Sequence, residues 1–170
     1  MRLDLGCGAN KRKGFTGIDI EDYSHLYPKG EFIQNDLNKG IPFTDNSVDE
    51  IYSYHFLEHI DDFQSMMKEI YRICKNRAIV VIYTPHRSVF GDEEDKRPFN
   101  YYSFTYNSVD CPNRLNPKKK MYKVLKREFK CAGFYRLFNF MNYMPYLYEQ
   151  TFLRNLILCK EIKFVLEILK

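Results

Sequence analysis

Only residues 9–16 separate the glycine turn Gly6-Cys7-Gly8 from Gly17 in the next apolar run, and this spacing constrains the chain more than any other feature. Residues 1–5 read as a short strand that runs straight into the turn. Glycines there let the backbone pass close to a ligand at the carboxyl end of a first strand, where open α/β sheets bind cofactors. A dinucleotide fingerprint asks for a third glycine where this chain has Lys11. It also asks for a helix whose N-terminus faces the pyrophosphate, and residues 9–16 leave little room for one. Asp4, two residues before Gly6, would repel a pyrophosphate but hold an ammonium group through a charge-assisted bond. The turn points away from NAD and toward a nucleoside that carries an amino acid.

Two further acids follow two further strands. Residues 15–20 and 32–34 read as strands. Asp19 in Gly17-Ile18-Asp19-Ile20 is placed to accept both ribose hydroxyls, and Asp36 in Gln34-Asn35-Asp36-Leu37 to accept an adenine amino proton. An ammonium, a diol and an amine, each met by an acid, outline S-adenosylmethionine.

Downstream, residues 48–53 form a fourth strand. From Ile60, the apolar positions Phe63, Met66, Met67, Ile70, Ile73 and Cys74 recur at helical spacing, with Asp61 and Asp62 in the first turn. Residues 78–83 (AIVVIY) are a continuous apolar run typical of a strand buried on both faces, stopped by Pro85. Residues 86–117 read as a long lid or acceptor loop. Met121, Leu125 and Phe129, four apart, predict a helix over 118–132 that ends at Gly133. Residues 134–140 and 162–169 read as strands. The pattern predicts one α/β domain over residues 1–170: a Rossmann-like sheet, mostly parallel, with an antiparallel C-terminal strand and shortened N-terminal crossovers.

At these residues the chain resembles the small class I S-adenosylmethionine-dependent methyltransferases. The likeness extends to Ile41-Pro42-Phe43 with Asp45-Asn46-Ser47-Val48-Asp49, before the fourth strand, and to Ser53-Tyr54-His55-Phe56-Leu57-Glu58-His59, which is similar to the family's Leu-Glu-His signature. Tyr83-Thr84-Pro85 and Ala132-Gly133-Phe134 resemble the family's end of strand five and the lead-in to strand six. The chain departs from the family at Asp95-Lys96-Arg97-Pro98-Phe99, where relatives often carry a histidine before Arg-x-Phe.

The resemblance implies a methyltransferase acting on an O, N or C atom of a small molecule, with S-adenosylmethionine as cofactor. It implies that Gly6, Cys7 and Gly8 line the methionine portion beside Asp4. Asp19 would then bind the ribose, Ile20 and Leu37 would bracket the adenine, and Asp36 would meet its amino group. Ser53 and His55 would face the methyl-bearing sulfur, with His55 and His59 as the candidate catalytic residues. Cys7 fits there for its size, since no base or partner cysteine activates it.

Composition bounds the rest. Over 170 residues, 45% are hydrophobic and 28% charged, which excludes disorder, and no apolar run reaches the length of a bilayer span. Five dispersed cysteines without a Cys-x-x-Cys pair suggest a reducing cytoplasm and no structural zinc; no metal ligand set is expected. No secretory leader is expected either, because Arg2 and Asp4 flank too short a run. A net charge of +4 is too mild for a protein built around nucleic-acid phosphates.

The lysines at 118–120, 123, 126 and 130 read as the solvated side of a helix, with nucleic-acid methylation as the alternative they leave open. A non-catalytic cofactor-binding or partner protein of the same fold is the other. The aromatic stretch 134–158 is core packing, an apolar acceptor wall or a contact surface. Because the N-terminal crossovers are short, a sheet face built from Leu3, Leu5, Ile18 and Ile20 should be thinly covered. A homodimer or a partner subunit is expected to cover it.

Overall fold

The computed structural model of the protein describes residues 1–87, 93–112, 119–131, 141–151 and 159–170. Strand β1 (Arg2–Leu5) pairs in parallel with β2 (Thr16–Asp19), and β2 pairs in parallel with β3 (Phe32–Gln34). On its other side β1 meets β4 (Val48–Tyr54), which pairs in parallel with β5 (Cys74–Pro85). Strand β7 (Cys159–Ile168) runs antiparallel to both β5 and β6 (Tyr122–Cys131). The order is β3-β2-β1-β4-β5-β7-β6. It reverses direction outward from β1, and that switch opens a crevice at the carboxyl ends of β1 and β4.

The first three crossovers contain no α-helix; 3₁₀ turns at Ser24–Leu26 and Leu37–Lys39 stand in their place. The fourth holds α1 (Phe63–Ile73). It starts three residues later than the apolar spacing suggests because Asp62 is its cap: the carboxylate accepts the Ser65 N–H at 3.0 Å. Its buried stripe, Met66, Met67, Ile70 and Ile73, joins one core with Leu5, Ile51, Val80 and Ile82.

The two sheet faces differ, and register explains how. Leu3 and Leu5 stand beside Ile51 and Ser53, which stand beside Val80 and Ile82, and all six are fully buried on the α1 side. The opposite face carries Asp4, Tyr52 and Val81 in one row and Tyr54 and Tyr83 in the next. Most of this face is only half-buried, and Tyr54 is exposed. A thinly covered face therefore exists, but it is not the one expected. Leu3, Leu5 and Ile18 lie in the core, and of the four residues expected on the bare face only Ile20 is exposed. The first crossover roofs part of the open face: Phe15 packs edge-on to Tyr52, and the Arg12 guanidinium lies 4.5 Å from the Tyr52 ring centre.

The helix expected over 118–132 is instead β6. Pairing with β7 shifts register between Val124 and Lys126, so Leu125 is the extra residue of a bulge. The bulge flips the inward parity from Tyr122 and Val124 to Phe129 and Cys131, and Leu125 faces solvent. Three apolar residues four apart thus arise from a strand with a kink. The expected strand at 134–140 lies outside the described residues, as do parts of the expected lid (88–92 and 113–117) and much of the aromatic stretch 134–158. Within that stretch, α2 (Pro145–Gln150) buries Tyr148 and Glu149.

Candidate cofactor-binding site

The site begins where β1 ends. Gly6 and Gly8 have φ of +65° and +51°, which an L side chain rarely adopts. A Cβ on Gly6 would stand 2.3 Å from the Phe56 ring. The Ile18 carbonyl accepts from both Gly6 N–H (2.9 Å) and Cys7 N–H (3.3 Å), and Asp19 Oδ2 accepts from Gly8 N–H at 2.8 Å. The turn is laced to the end of β2 at three points. Burial pushes the Cys7 thiol up to about 12, so it is inert at neutral pH.

Two cavities adjoin this turn. One, of about 360 Å³, is lined by Asp4, the turn itself, Ala9, Asn10, Tyr52 and Tyr54. The other, of about 270 Å³, lies beyond Phe56 and is lined by Asp19, Ile20, Asp36, Leu37, Asn38, Phe56, His59, Ile60 and Glu94. Eight of the ten residues expected around the cofactor thus line the two cavities, and Ser53 and His55 line neither. Ile20, 61% exposed, projects into the second as an uncovered apolar wall. Asp36 caps the following 3₁₀ turn through the Asn38 N–H, and its Oδ2 lies 3.2 Å from Lys39 Nζ.

Asp4 is 2% exposed and accepts the Arg12 N–H at 2.6 Å. Burial raises its pKa from 3.8 to about 6, against the pull of that hydrogen bond and the Arg12 charge. A carboxylate held dry beside a cavity gains by meeting a cation.

Ser53 does not face the cavities. It points to the α1 side, fully buried, and its Oγ has no hydrogen-bond partner. Register decides this: Asp4 is opposite Tyr52, so Tyr52 and Tyr54, not Ser53, share its face. His55 turns the chain off β4 with φ of +50°. Its Nε2 lies 3.0 Å from Glu161 Oε2 on β7, and its Nδ1 3.7 Å from Glu58 Oε1. The His55 hydrogen bond, despite burial, holds Glu161 below the usual carboxylate range. His59 sits on the second cavity rather than at the turn, with Nδ1 3.2 Å from the Glu94 carbonyl. The two histidines are therefore apart in role, one tied to β7 and one to the lid.

Residues the motif reading passed over are Tyr52, Tyr54, Phe56, Ile60, Glu94 and Arg12. The two tyrosines were legible from alternation on β4, whereas Arg12 and Glu94 come from irregular segments that carry no period.

The sequence model of the methyltransferase domain matches residues 3–82, from β1 into β5. The fold aligns over 99% of this chain and 82% of its counterpart, at 14% identity and TM-score 0.65, with the complex between the Haloferax volcanii Trm112 methyltransferase activator and a methyltransferase. An S-adenosylmethionine-dependent methyltransferase from Archaeoglobus fulgidus aligns over 98% and 85% of the two chains, at 18% identity and TM-score 0.63.

Residues 3–82 thus carry a methyltransferase-domain sequence, and the fold is that of class I methyltransferases.

Among named relatives, a Mycolicibacterium smegmatis protein called "Probable S-adenosylmethionine-dependent methyltransferase" is 23% identical over 125 residues, covering 66% of this chain and 49% of its own length. A sterol 24-C-methyltransferase of Gibberella zeae is 29% identical over 113 residues, covering 55% of this chain and 30% of its own. The chain thus spans half or less of the length of those relatives. The methyltransferase domain and the named relatives imply S-adenosylmethionine as the cofactor. The donor set fits it: a dry acid beside one cavity, two acids and an apolar wall around the other, and a glycine between them that a Cβ would block. Among the described residues, no helix is long and apolar enough to cross a membrane.

Proposed function

We propose that the protein transfers a methyl group from S-adenosylmethionine to an O, N or C atom of a small-molecule acceptor. The observation that carries this reading is the pair of adjoining cavities at the carboxyl ends of β1 to β4, divided by Gly6 and Phe56 and edged by Asp4, Asp19 and Asp36. When bound, S-adenosylmethionine supplies an electrophilic methyl on a positive sulfur. Asp4 holds the ammonium end, and the Gly6–Gly8 backbone lies against the methionine chain without side chains in the way. Asp19 accepts the ribose hydroxyls with lone pairs left over from its Gly8 and Glu21 contacts. Ile20 and Leu37 bracket the base, and Asp36 accepts from its amine.

What remains for the chain is alignment of an acceptor, an effect that can be worth roughly 7–11 kcal/mol. Our candidate to take a proton where an acceptor must lose one is His55, whose ring Glu161 orients through Nε2. The exposed lysines Lys123 and Lys126 lie on edge strand β6, where lysine discourages pairing with other sheets. That role needs no nucleic acid.

We further propose that a second copy of the chain covers the half-bare face around Tyr54 and Tyr83. Light scattering should give twice the mass of one chain, and a single-chain mass over a wide concentration range would exclude it. The activity itself is tested by following S-adenosylhomocysteine release across a panel of small-molecule acceptors. Release above the acceptor-free rate with at least one is expected. Tight cofactor binding with no release from any would favour a non-catalytic binding protein.

A further inference from the structure

Glu58, His59 and Asp95 form a cluster that the cofactor reading leaves unexplained. One ligand atom from each lies within 4.8 Å of the others. Glu58 is 1% exposed and the Asp95 side chain 6%, so two carboxylates sit close together in a largely dry pocket. Burial pushes the Glu58 carboxyl above its ordinary range, and the Asp95 charge adds to that push.

The nearby cations are spent elsewhere. Lys96 Nζ pairs with Asp61 Oδ1 at 2.6 Å, and Arg97 donates to the carbonyls of Ile60 and Asp61. Among the described residues no lysine or arginine lies within 4.0 Å of either carboxylate of the cluster. Glu58 Oε2 is buried with no hydrogen-bond partner at all. A buried carboxylate oxygen left unpaired is costly, and a ligand carrying positive charge would offset that cost.

We propose that Glu58, His59 and Asp95 bind a divalent metal cation. One imidazole nitrogen and two carboxylate oxygens suit Mn²⁺, Mg²⁺ or Zn²⁺, with the remaining positions left to water. A cation about 2.1 Å from each atom would hold neighbouring ligands roughly 3 Å apart. His59 Nδ1 and Asp95 Oδ1 stand at 3.8 Å and all three ligand atoms lie within 4.8 Å of one another, so the side chains need close by at most about 2 Å. With a cation bound, the His59 proton moves to Nε2 and Nδ1 turns from the Glu94 carbonyl toward the metal.

The place in the fold gives the cation a task. Glu58 and His59 follow β4, and His59 lines the second cavity. Asp95 belongs to the lid segment, which is already strapped to the same turn by the Lys96 N–H donating to the Glu58 carbonyl at 2.9 Å. A cation between them fastens the lid over the cavity mouth.

Electron paramagnetic resonance of Mn²⁺ tests this without cofactor or acceptor, so the outcome is independent of methyl transfer. Titrating the full chain should remove the free-ion signal with one Mn²⁺ per chain, and excess Mg²⁺ should restore it. Asp95→Asn and Glu58→Gln should each weaken binding by at least about tenfold, the lower end for losing even an outer partner of a metal ligand. Circular dichroism shows whether each variant is folded, and Asp95→Asn alone suffices if Glu58→Gln is not. Absence of saturable Mn²⁺ binding, or unchanged binding in a folded variant, would overturn the site.

Discussion

Asp19 Oδ2 accepts a hydrogen bond from Gly8 N–H at 2.8 Å, tying the end of β2 to the glycine turn of β1. The same carboxylate that edges the second cavity therefore also ties down the turn that lines the first. In a fold with a helix in its first crossover, that helix would hold the turn. Here residues 9–16 are irregular, and the Asp19 contact with the Ile18 carbonyl bonds does that work.

Gly6 cannot carry a side chain. Its φ of +65° is strained for alanine, and the new Cβ would meet three Phe56 atoms at 2.3–2.6 Å. Gly6→Ala should destabilise the protein by about 1–3 kcal/mol and weaken S-adenosylhomocysteine binding as Phe56 is displaced into its cavity. Adding Phe56→Ala should recover part of the stability, because it removes the collision but not the backbone strain. Thermal melts and calorimetry on the single and double variants check both parts.

Asp4 should make the free protein and its ligand affinity respond to pH in opposite senses. Its folded pKa, about 6, lies above the ordinary 3.8, so the folded state holds the proton more tightly than the unfolded chain. Stability of the free protein should then fall as pH rises from about 4 to 6, by on the order of 2–3 kcal/mol from this group. Affinity for S-adenosylhomocysteine should rise over the same window and level off above it, since only ionised Asp4 attracts the ammonium. Asp4→Asn should flatten the stability slope and lower affinity at pH 7. Denaturant melts and titrations at three pH values measure both.

Leu125 distinguishes the bulged strand from a helix. On a helix with Met121 and Phe129 it would be core, but on β6 it is 48% exposed while Val124 is 8% exposed. Leu125→Lys should change stability by less than about 0.5 kcal/mol, and Val124→Lys should be strongly destabilising. Equal large losses would favour the helix.

That residue also marks the limit of what the amino-acid order reveals. The five parallel strands were legible because β-branched runs and glycine turns are local signals, as in residues 78–83 and 6–8. The acids Asp4, Asp19 and Asp36 were legible because each lies within two residues of the end of a strand. A bulge is set by pairing with β7, which is distant in the chain, so its effect on parity at Leu125 has no local trace. The same holds for Ser53: only the Asp4–Tyr52 register shows that it faces away from the cavity. The pairing of Glu58 with Asp95 depends on how the lid folds back, which no period encodes.

The central claim is that these cavities hold S-adenosylmethionine, and isothermal titration with S-adenosylhomocysteine tests it most directly. The full chain should bind one equivalent with micromolar affinity. Asp19→Ala should abolish the heat of binding, while Asp19→Asn, which keeps an oxygen for Gly8 N–H, should retain the folded turn and still lose most of the affinity. No binding by the unaltered chain, or affinity unchanged in Asp19→Ala, would contradict the account.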